Sequence, residues 1–222
     1  MTCAPLVWMT TMADHIEILC VRAADGGARL GITVKSMTCG EEKKESLSVF
    51  ASHLTHLPTP GVIGEEMLEL LRREHALCAA LDTGLRSLGS GGGSSLQLKQ
   101  KLRARGVAAD VAMDAARELE ERGYLQERKN ALSLAARNLR KLWGDRRILA
   151  DLRAKGYAEE AISAVREMLE GEDAMQRCAK LLEKRMIAAL DEAQLQKLIA
   201  SLMRYGYTRT EIRAALQKTM RE

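Results

Sequence analysis

Aromatic residues are scarce in this chain of 222 residues, which holds two Trp, four Tyr and one Phe. Proteins that bind single-stranded nucleic acid by stacking need aromatic faces, so the composition argues against base stacking as the main binding mode. Proline is also rare, with three residues, while Ala, Leu, Arg, Glu and Lys dominate. This mixture favours helices that pack through aliphatic side chains.

Paired cysteines and long apolar runs are also lacking. The five cysteines are odd in number and scattered, which is typical of reduced cytosolic thiols: Cys3, Cys20, Cys39, Cys78 and Cys178. No apolar stretch approaches the roughly 20 residues of a membrane helix, and the apolar N-terminus lacks the basic region of a signal peptide. We expect a cytoplasmic protein without membrane association. Residues 1–14 are expected to be a flexible tail or an over-long start, with Met9 or Met12 as the initiator.

Motifs for catalysis, cofactors or metals are weak or missing. Gly91–Gly93 lack the Lys-Ser/Thr of a phosphate loop. His53 and His56 with Cys39 imitate a zinc set, but no C-x-x-C pair accompanies them. Cys178 lies in an apolar helical pattern and is expected to be a buried thiol. We therefore expect no enzyme, no catalytic residue, no cofactor and no metal.

The N-terminal part of the chain has the pattern of a small β structure. Residues 15–22 and 29–35 are rich in β-branched residues and are separated by Asp25-Gly26-Gly27, which predicts a hairpin. Residues 46–50 are a candidate third strand. The prediction is a small β segment over residues 15–57.

Helical signals begin after Pro58 and Pro60. Glu65 and Glu66 favour the start of a first helix, and a second helix is predicted from Glu74 to Leu88. The glycine-rich segment 89–95 is predicted to be a flexible joint.

Three glycines, Gly106, Gly156 and Gly206, stand fifty residues apart in near-copies of one phrase. Each follows an apolar helical stripe and precedes a second helix, so a left-handed glycine turn is expected after each stripe. Capping boxes are predicted before two of these stripes, at Ser94 with Gln97 and at Asp191 with Gln194. Tyr157 and Tyr207, which follow two of the glycines, are expected to pack inside the fold.

The period predicts a mainly α protein of three tandem three-helix repeats, forming a curved helical array after the small β segment. Segments 127–142 and 174–190 would supply the first helix of the second and third repeats. The expected divisions are 61–125 for helices that end in repeat 1, 126–173 for repeat 2 and 174–222 for repeat 3.

Positive charge is concentrated in the second repeat. Residues 1–95 carry eight Lys and Arg against eleven Asp and Glu, whereas residues 128–155 carry nine against two. A focused patch suits an anionic partner, although solvated helices also carry such charges. The candidate partner-binding residues are Arg137, Arg140, Lys141, Arg146, Arg147, Arg153 and Lys155. Trp143 beside them belongs either to a repeat junction or to the contact surface.

Three phrases carry a family resemblance over roughly residues 61–222. They are Ser94-x-x-Gln97-Leu98-x-x-x-Leu102-x-x-x-Gly106 with Gly123-Tyr124-Leu125, then Gly144-x-x-Arg147-Ile148-x-x-x-Leu152-x-x-Lys155-Gly156, and finally Leu202-x-x-x-Gly206-Tyr207 with Ile212. In this order and spacing they resemble the RecX regulatory proteins, which modulate the RecA recombinase. Asn130 departs from the family, where an aromatic residue is common.

The resemblance implies a non-enzymatic bacterial regulator of RecA filaments in recombination, DNA repair and the SOS response. Such proteins lie in the groove of the RecA–DNA filament and limit ATPase, strand exchange or filament growth. The implied partner is the RecA filament, with single- or double-stranded DNA as a further partner, and the protein is expected to be a monomer. The alternatives are a helical-repeat protein that binds DNA independently of RecA and a generic helical interaction scaffold.

Overall fold

The computed structural model describes residues 15–38, 41–89, 92–184 and 191–219. Within them it contains a four-stranded antiparallel sheet followed by nine α-helices. Contacts divide the chain into two compact units, the first ending at Asp82 and the second beginning at Thr83. The mainly helical class with a small N-terminal sheet is confirmed. The predicted tail, residues 1–14, lies outside the described residues.

The sheet has the order β3-β2-β1-β4. Its strands are β1 (His15–Ala24), β2 (Arg29–Thr38), β3 (Glu41–Phe50) and β4 (Gly61–Val62). The predicted hairpin and third strand are both present, with Asp25–Gly27 as the turn. Strand β4 was not predicted, because two residues are too few to show a strand pattern.

A single helix, α1 (Glu65–Gly89), follows the sheet. The prediction of two helices with a second start at Glu74 is wrong, because no glycine or proline interrupts the chain there. Within the first unit, Leu68 and Leu71 of α1 are buried with Ile18, Ile32 and Val34 of the sheet. The sheet is thus covered by an apolar helix face.

Eight further helices form the second unit together with the last turns of α1. They are α2 (Ser95–Arg103), α3 (Ala109–Glu121), α4 (Glu127–Arg140), α5 (Asp145–Ala154), α6 (Glu159–Glu170), α7 (Ala174–Glu183), α8 (Glu192–Arg204) and α9 (Arg209–Thr219). Helices α1–α3, α4–α6 and α7–α9 are hereafter repeats 1, 2 and 3. The predicted extension of α7 from 185 to 190 lies outside the described residues.

The same turn closes the second helix of every repeat. Gly106, Gly156 and Gly206 have φ angles of +85°, +67° and +98°, as the sequence predicts. In each turn the residue after the glycine donates its N–H to a leucine carbonyl five residues back, for example Tyr157 to Leu152 at 3.2 Å. This is the bonding of a Schellman motif, which needs left-handed backbone at one position. Glycine therefore fixes where the second helix ends.

Apolar side chains from the helices of each repeat form its core. In repeat 2, Ile148, Leu152, Tyr157 and Ile162 are buried together. In repeat 3, the equivalent Leu202, Tyr207 and Ile212 are buried with Cys178. The predictions that both tyrosines pack inside the fold and that Cys178 is a buried thiol are confirmed.

The glycine-rich joint before α2 is matched to Asn130, the residue that departs from the family pattern. Gly92 has φ +68°, and a Cβ on it would lie 2.6 Å from the Asn130 side-chain oxygen. Asn130 in turn donates to the carbonyl of Gly93 at 3.1 Å. An aromatic ring at position 130 would meet this backbone, so the joint and the asparagine belong together.

Candidate functional site

The positively charged candidates lie on α4, on α5 and in the loop that joins these helices. The loop is folded back on α4, because the amides of Lys141 and Trp143 both donate to the carbonyl of Asn138 at 3.1 Å. Leu142 between them has a φ of +55°, a conformation that a leucine rarely adopts. The loop ends at Gly144, whose amide donates to Tyr205 of repeat 3 at 2.8 Å. The loop geometry is therefore set by repeat 3 as well as by repeat 2.

Five of the seven predicted residues are exposed. They are Arg137, Arg140, Lys141, Arg146 and Arg153, which we call the basic surface. Within the described residues, no carboxylate lies within ion-pair distance of the four arginines of this set. Some arginines on other helices do have such partners, as in Arg166 with Glu159 at 3.1 Å. The four arginines of the basic surface therefore carry their charge without a carboxylate partner among the described residues.

Arg147 is held at the junction of repeats 2 and 3. Its guanidinium lies 3.9 Å from the ring centroid of Trp143 and 5.2 Å from that of Tyr205. Cations over aromatic faces are attracted by the ring quadrupole. Lys141 adds a second cation 5.7 Å from the Trp143 centroid. Trp143 is partly buried against the core of repeat 2, so it serves the junction while it supports two of the candidate cations.

Lys155 is also engaged within the protein. Its ammonium group pairs with Asp151, one helical turn earlier, and its backbone carbonyl accepts a hydrogen bond from Ser94 at 2.6 Å. Asn138 donates to the other carboxylate oxygen of Asp151 at 3.3 Å. The structure therefore assigns Lys155 a local pairing that the sequence could not reveal.

The remaining carboxylate of this region, Asp145, is neutralised by a buried arginine. Arg177 on α7 pairs with Asp145 and, at 3.4 Å, with Glu172. Burial nevertheless raises the pKa of Asp145 above its ordinary value, against the opposing effect of the Arg177 charge. Both carboxylates between residues 128 and 155 are thus occupied by cations of the protein itself, and neither compensates the basic surface.

Sequence reasoning missed two residues of this junction, Tyr205 and Arg177. Tyr205 stands where the other repeats have Arg105 and Lys155, so the loss of a basic residue in the register was a usable signal. Arg177 gave none, since its burial depends on residues 32 positions away. The described residues contain no group of three metal-ligating side chains. Of the zinc candidates, His53 is hydrogen-bonded to Glu74 at 2.8 Å, and Cys39 lies outside the described residues.

No helix among the described residues has the length and apolar character needed to cross a membrane. Burial in the core of repeat 3 raises the pKa values of Cys178 and Tyr207. The arrangement therefore offers a charged contact surface on a packed helical scaffold.

Comparison with known proteins places the chain in one family, although no family model matches it. It is 33% identical over 127 residues to the regulatory protein RecX of Trichlorobacter lovleyi, which covers 54% of this chain and 82% of the relative. It is 30% identical over 142 residues to RecX of Pelodictyon phaeoclathratiforme, covering 62% and 87%.

Solved structures agree in fold. A crystal structure of a regulatory protein RecX matches with a TM-score of 0.71 at 17% identity, over 93% of this chain and all of that one. RecX from Lactobacillus salivarius matches with a TM-score of 0.58 at 16% identity, over 66% and 98%. The two sequence relatives are at least 30% identical to this chain over most of their own length. The chain belongs to the RecX family of regulatory proteins.

Proposed function

We propose that this protein regulates RecA recombinase filaments, acting as an inhibitor that binds along the filament groove. Binding there would limit ATP hydrolysis, strand exchange or filament growth in the bacterial cytoplasm. Family membership supports the regulatory role. The observation that carries the binding site is the uncompensated basic surface on α4 and α5.

The basic surface suits a phosphate backbone or an acidic protein face. Arginine guanidinium groups bind phosphate and carboxylate through paired hydrogen bonds, and such contacts position a protein without reading sequence. Because Asp145 and Asp151 are already engaged by Arg177 and Lys155, the field of the exposed arginines is directed to an external anion. Under the proposal, the partner contacts this surface and not the internal ion pairs beside it.

The seven candidates divide into two roles under this proposal. The five exposed residues make the contact. Arg147 and Lys155 hold the scaffold, since one is stacked on Trp143 and Tyr205 and the other is paired with Asp151. A test must separate the two roles, because Arg147→Glu would disturb the junction as well as the charge.

The decisive experiment measures the single-stranded-DNA-dependent ATPase of RecA with and without this protein. The wild-type protein is expected to lower the rate at or below one copy per RecA protomer. The triple variant Arg137→Glu/Arg140→Glu/Arg146→Glu is expected to lose about 10-fold or more in potency, since each lost charge contact is worth on the order of 1 kcal/mol. Arg209→Glu/Arg213→Glu, at exposed positions of repeat 3, is the matched control and should retain wild-type potency.

An unchanged ATPase rate with the wild-type protein would contradict the proposal. If the triple variant is as potent as the wild type and has an unchanged thermal unfolding midpoint, the basic surface is excluded as the binding site.

A second candidate function, DNA binding independent of RecA, is favoured by the same basic surface. It predicts tight binding of naked DNA with an affinity that falls steeply with salt, by a log–log slope of about 0.7 to 0.9 per phosphate contacted. Fluorescence anisotropy with labelled single- and double-stranded DNA measures this slope. Strong DNA binding without an effect on RecA ATPase would favour this alternative.

A further inference from the structure

Neighbouring repeats are joined by one contact that occurs twice. At the first junction, Ser94 at the start of α2 donates its hydroxyl to the carbonyl of Lys155, at 2.6 Å. At the second, Gly144 at the start of α5 donates its amide to the carbonyl of Tyr205, at 2.8 Å. Donor and acceptor both advance by fifty residues. We call the carbonyl and the glycine after it the acceptor turn.

The helix start is pressed closely onto the acceptor turn at both junctions. A Cβ on Gly156 would lie 2.2 Å from a methyl carbon of Leu96, and one on Gly206 would lie 2.5 Å from the backbone nitrogen of Arg147. The acceptor turn therefore binds the N-terminal end of a helix, whose first N–H groups have no partner within that helix.

Among the described residues, no such helix lies on a third acceptor turn, at Arg105 and Gly106. Gly106 is exposed, and a Cβ on it would meet no atom within 4 Å. Beside it lies an open cavity of about 710 Å³ within the second unit, lined by Thr83, Arg86, Ser87, Lys101, Ala104 and Arg105. Three of these six are cationic and none is acidic, so the acceptor turn of repeat 1 presents positive charge.

The complementary end of the same pattern is the start of α8. This is the second helix of repeat 3, and no further repeat follows it within the described residues. The helix is capped by Asp191 and begins with Glu192, and both residues are exposed. Its start lies one turn earlier than the starts of α2 and α5 relative to the fifty-residue register. Position 194, the counterpart of Ser94 and Gly144, therefore lies within the first turn of α8, and the exposed start of this helix is acidic.

We propose that the acceptor turn at Gly106 binds the N-terminal end of α8 from a second copy of this chain, head to tail. The occupant is identified by matching chemistry: a helix start, as the other two acceptor turns hold, with the exposed Asp191 and Glu192 opposite the exposed Lys101 and Arg105. The contact is heterologous, so each bound copy leaves another pair of ends open and the assembly is open-ended. The protein, expected from its sequence to be a monomer, would then associate as its concentration rises.

The test is sedimentation velocity of the full chain, without RecA or DNA. At about 100 μM protein and low salt, the weight-average mass is expected to rise to about twice the monomer value or more. It should return to the monomer value in about 0.5 M salt, where exposed charges are screened beyond a few ångströms. A monomer mass at every concentration and low salt would overturn the proposal.

Variants locate the contact. Lys101→Glu/Arg105→Glu removes the positive charge of the cavity, and Asp191→Asn/Glu192→Lys removes the acidic charge while it keeps a capping side chain. Each variant alone is expected to stay monomeric at about 100 μM, whereas an equal mixture of the two should associate again because each charge-reversed end meets a complementary one. The matched control is Arg103→Glu, an exposed residue of α2 that does not line the cavity.

Two results would overturn the head-to-tail contact even if the wild-type chain associates. One is association of the two variants alone, and the other is an equal loss with Arg103→Glu; either would place the contact on another face or another partner. Since no step uses RecA, failure here leaves the proposed regulation of RecA filaments untouched.

Discussion

Between repeats 1 and 2 the contact is made by side chains: the Ser94 hydroxyl reaches the Lys155 carbonyl, and Leu96 covers Gly156. Between repeats 2 and 3 two backbones meet, because the Gly144 amide reaches the Tyr205 carbonyl and a Cβ on Gly144 would lie 2.4 Å from the carbonyl carbon of Gly206. The second junction has little room to adjust. It is also reinforced by polar contacts, namely the Arg177–Asp145 pair and the Tyr207 hydroxyl.

The difference shows how a sequence repeat can keep its geometry while its chemistry changes. Hydroxyl-to-carbonyl and amide-to-carbonyl bonds satisfy the same acceptor, so either can join two repeats. The tighter junction also adjoins the basic surface, since the loop of Lys141–Gly144 is bonded to Tyr205. The rigid junction therefore positions the candidate contact residues.

Substitution of the three repeat glycines by alanine should have the largest effects on the free energy of unfolding, and the size of the effect should differ among the three turns. Gly206→Ala is expected to cost about 3 to 4 kcal/mol of unfolding free energy, since left-handed strain adds to a clash with the backbone of Arg147. Gly156→Ala should cost less, because the Leu96 side chain can move. Gly106→Ala, in open space, should cost only the strain of about 1 to 2 kcal/mol. Urea unfolding followed by circular dichroism measures the series, and equal costs would contradict the contrast between the turns.

Removal of the Ser94 hydroxyl should separate its two roles. Ser94→Ala is expected to cost about 2 kcal/mol, of which about 1 comes from the lost helix cap and about 1 from the lost bond to Lys155. Asp191→Ala is the matched control, because Asp191 forms the same capping box but, among the described residues, bonds to no other repeat. It should cost about 1 kcal/mol. If both variants lose the same free energy by urea unfolding, the Ser94–Lys155 bond contributes nothing to the junction.

The smallest effect is expected for Tyr207→Phe, at about 1 kcal/mol, because it deletes a hydrogen bond of 2.9 Å to the Leu142 carbonyl. The Tyr207→Phe substitution should also change how the stability of the protein depends on pH in the alkaline range. Burial raises the pKa of Tyr207, so the unfolded chain loses this proton at lower pH than the folded protein does. Stability from this group is complete below the unfolded value, near 10, and is lost as pH rises through the folded value.

Urea midpoints from pH 8 to 11 test this dependence. The Phe variant should lose stability less steeply than the wild type, although Cys178, whose pKa burial raises to about 11, still contributes in both. Tyr124→Phe, at an exposed position, is the control and should match the wild type. An identical slope for Tyr207→Phe and wild type would exclude Tyr207 as a source of the dependence.

Local patterns were sufficient to predict most of the fold. The Asp25-Gly26-Gly27 turn predicts the hairpin, and Ser94 with Gln97 predicts the start of α2, because each signal acts within a few residues. The division of α1 into two helices, with a second start at Glu74, was wrong. Arg72 bonds to Glu45 of β3 at 3.1 Å, a partner that local sequence cannot identify.

The sequence was sufficient to locate the basic residues of the candidate site, but not to tell which of them are exposed and which are engaged within the protein. The charge count locates the basic residues, but the stacking of Arg147 on Tyr205 depends on a residue 58 positions later in the next repeat. The pairing of Asp145 with Arg177 likewise spans 32 positions. Which cations are exposed is therefore decided by the packing of neighbouring repeats. The assignment of the basic surface to RecA or DNA stays a prediction.

The donors and acceptors of the two junctions repeat at the same interval of fifty residues. Ser94 and Gly144 are one such period apart, as are Lys155 and Tyr205. Formation of a junction therefore depends on this spacing more than on the identity of the paired residues. Loss or duplication of a segment of fifty residues between equivalent turns would still bring a helix start to a glycine turn. An insertion of any other length would shift one partner out of register. The length of the helical array can thus change in evolution by whole repeats, without a new interface having to arise.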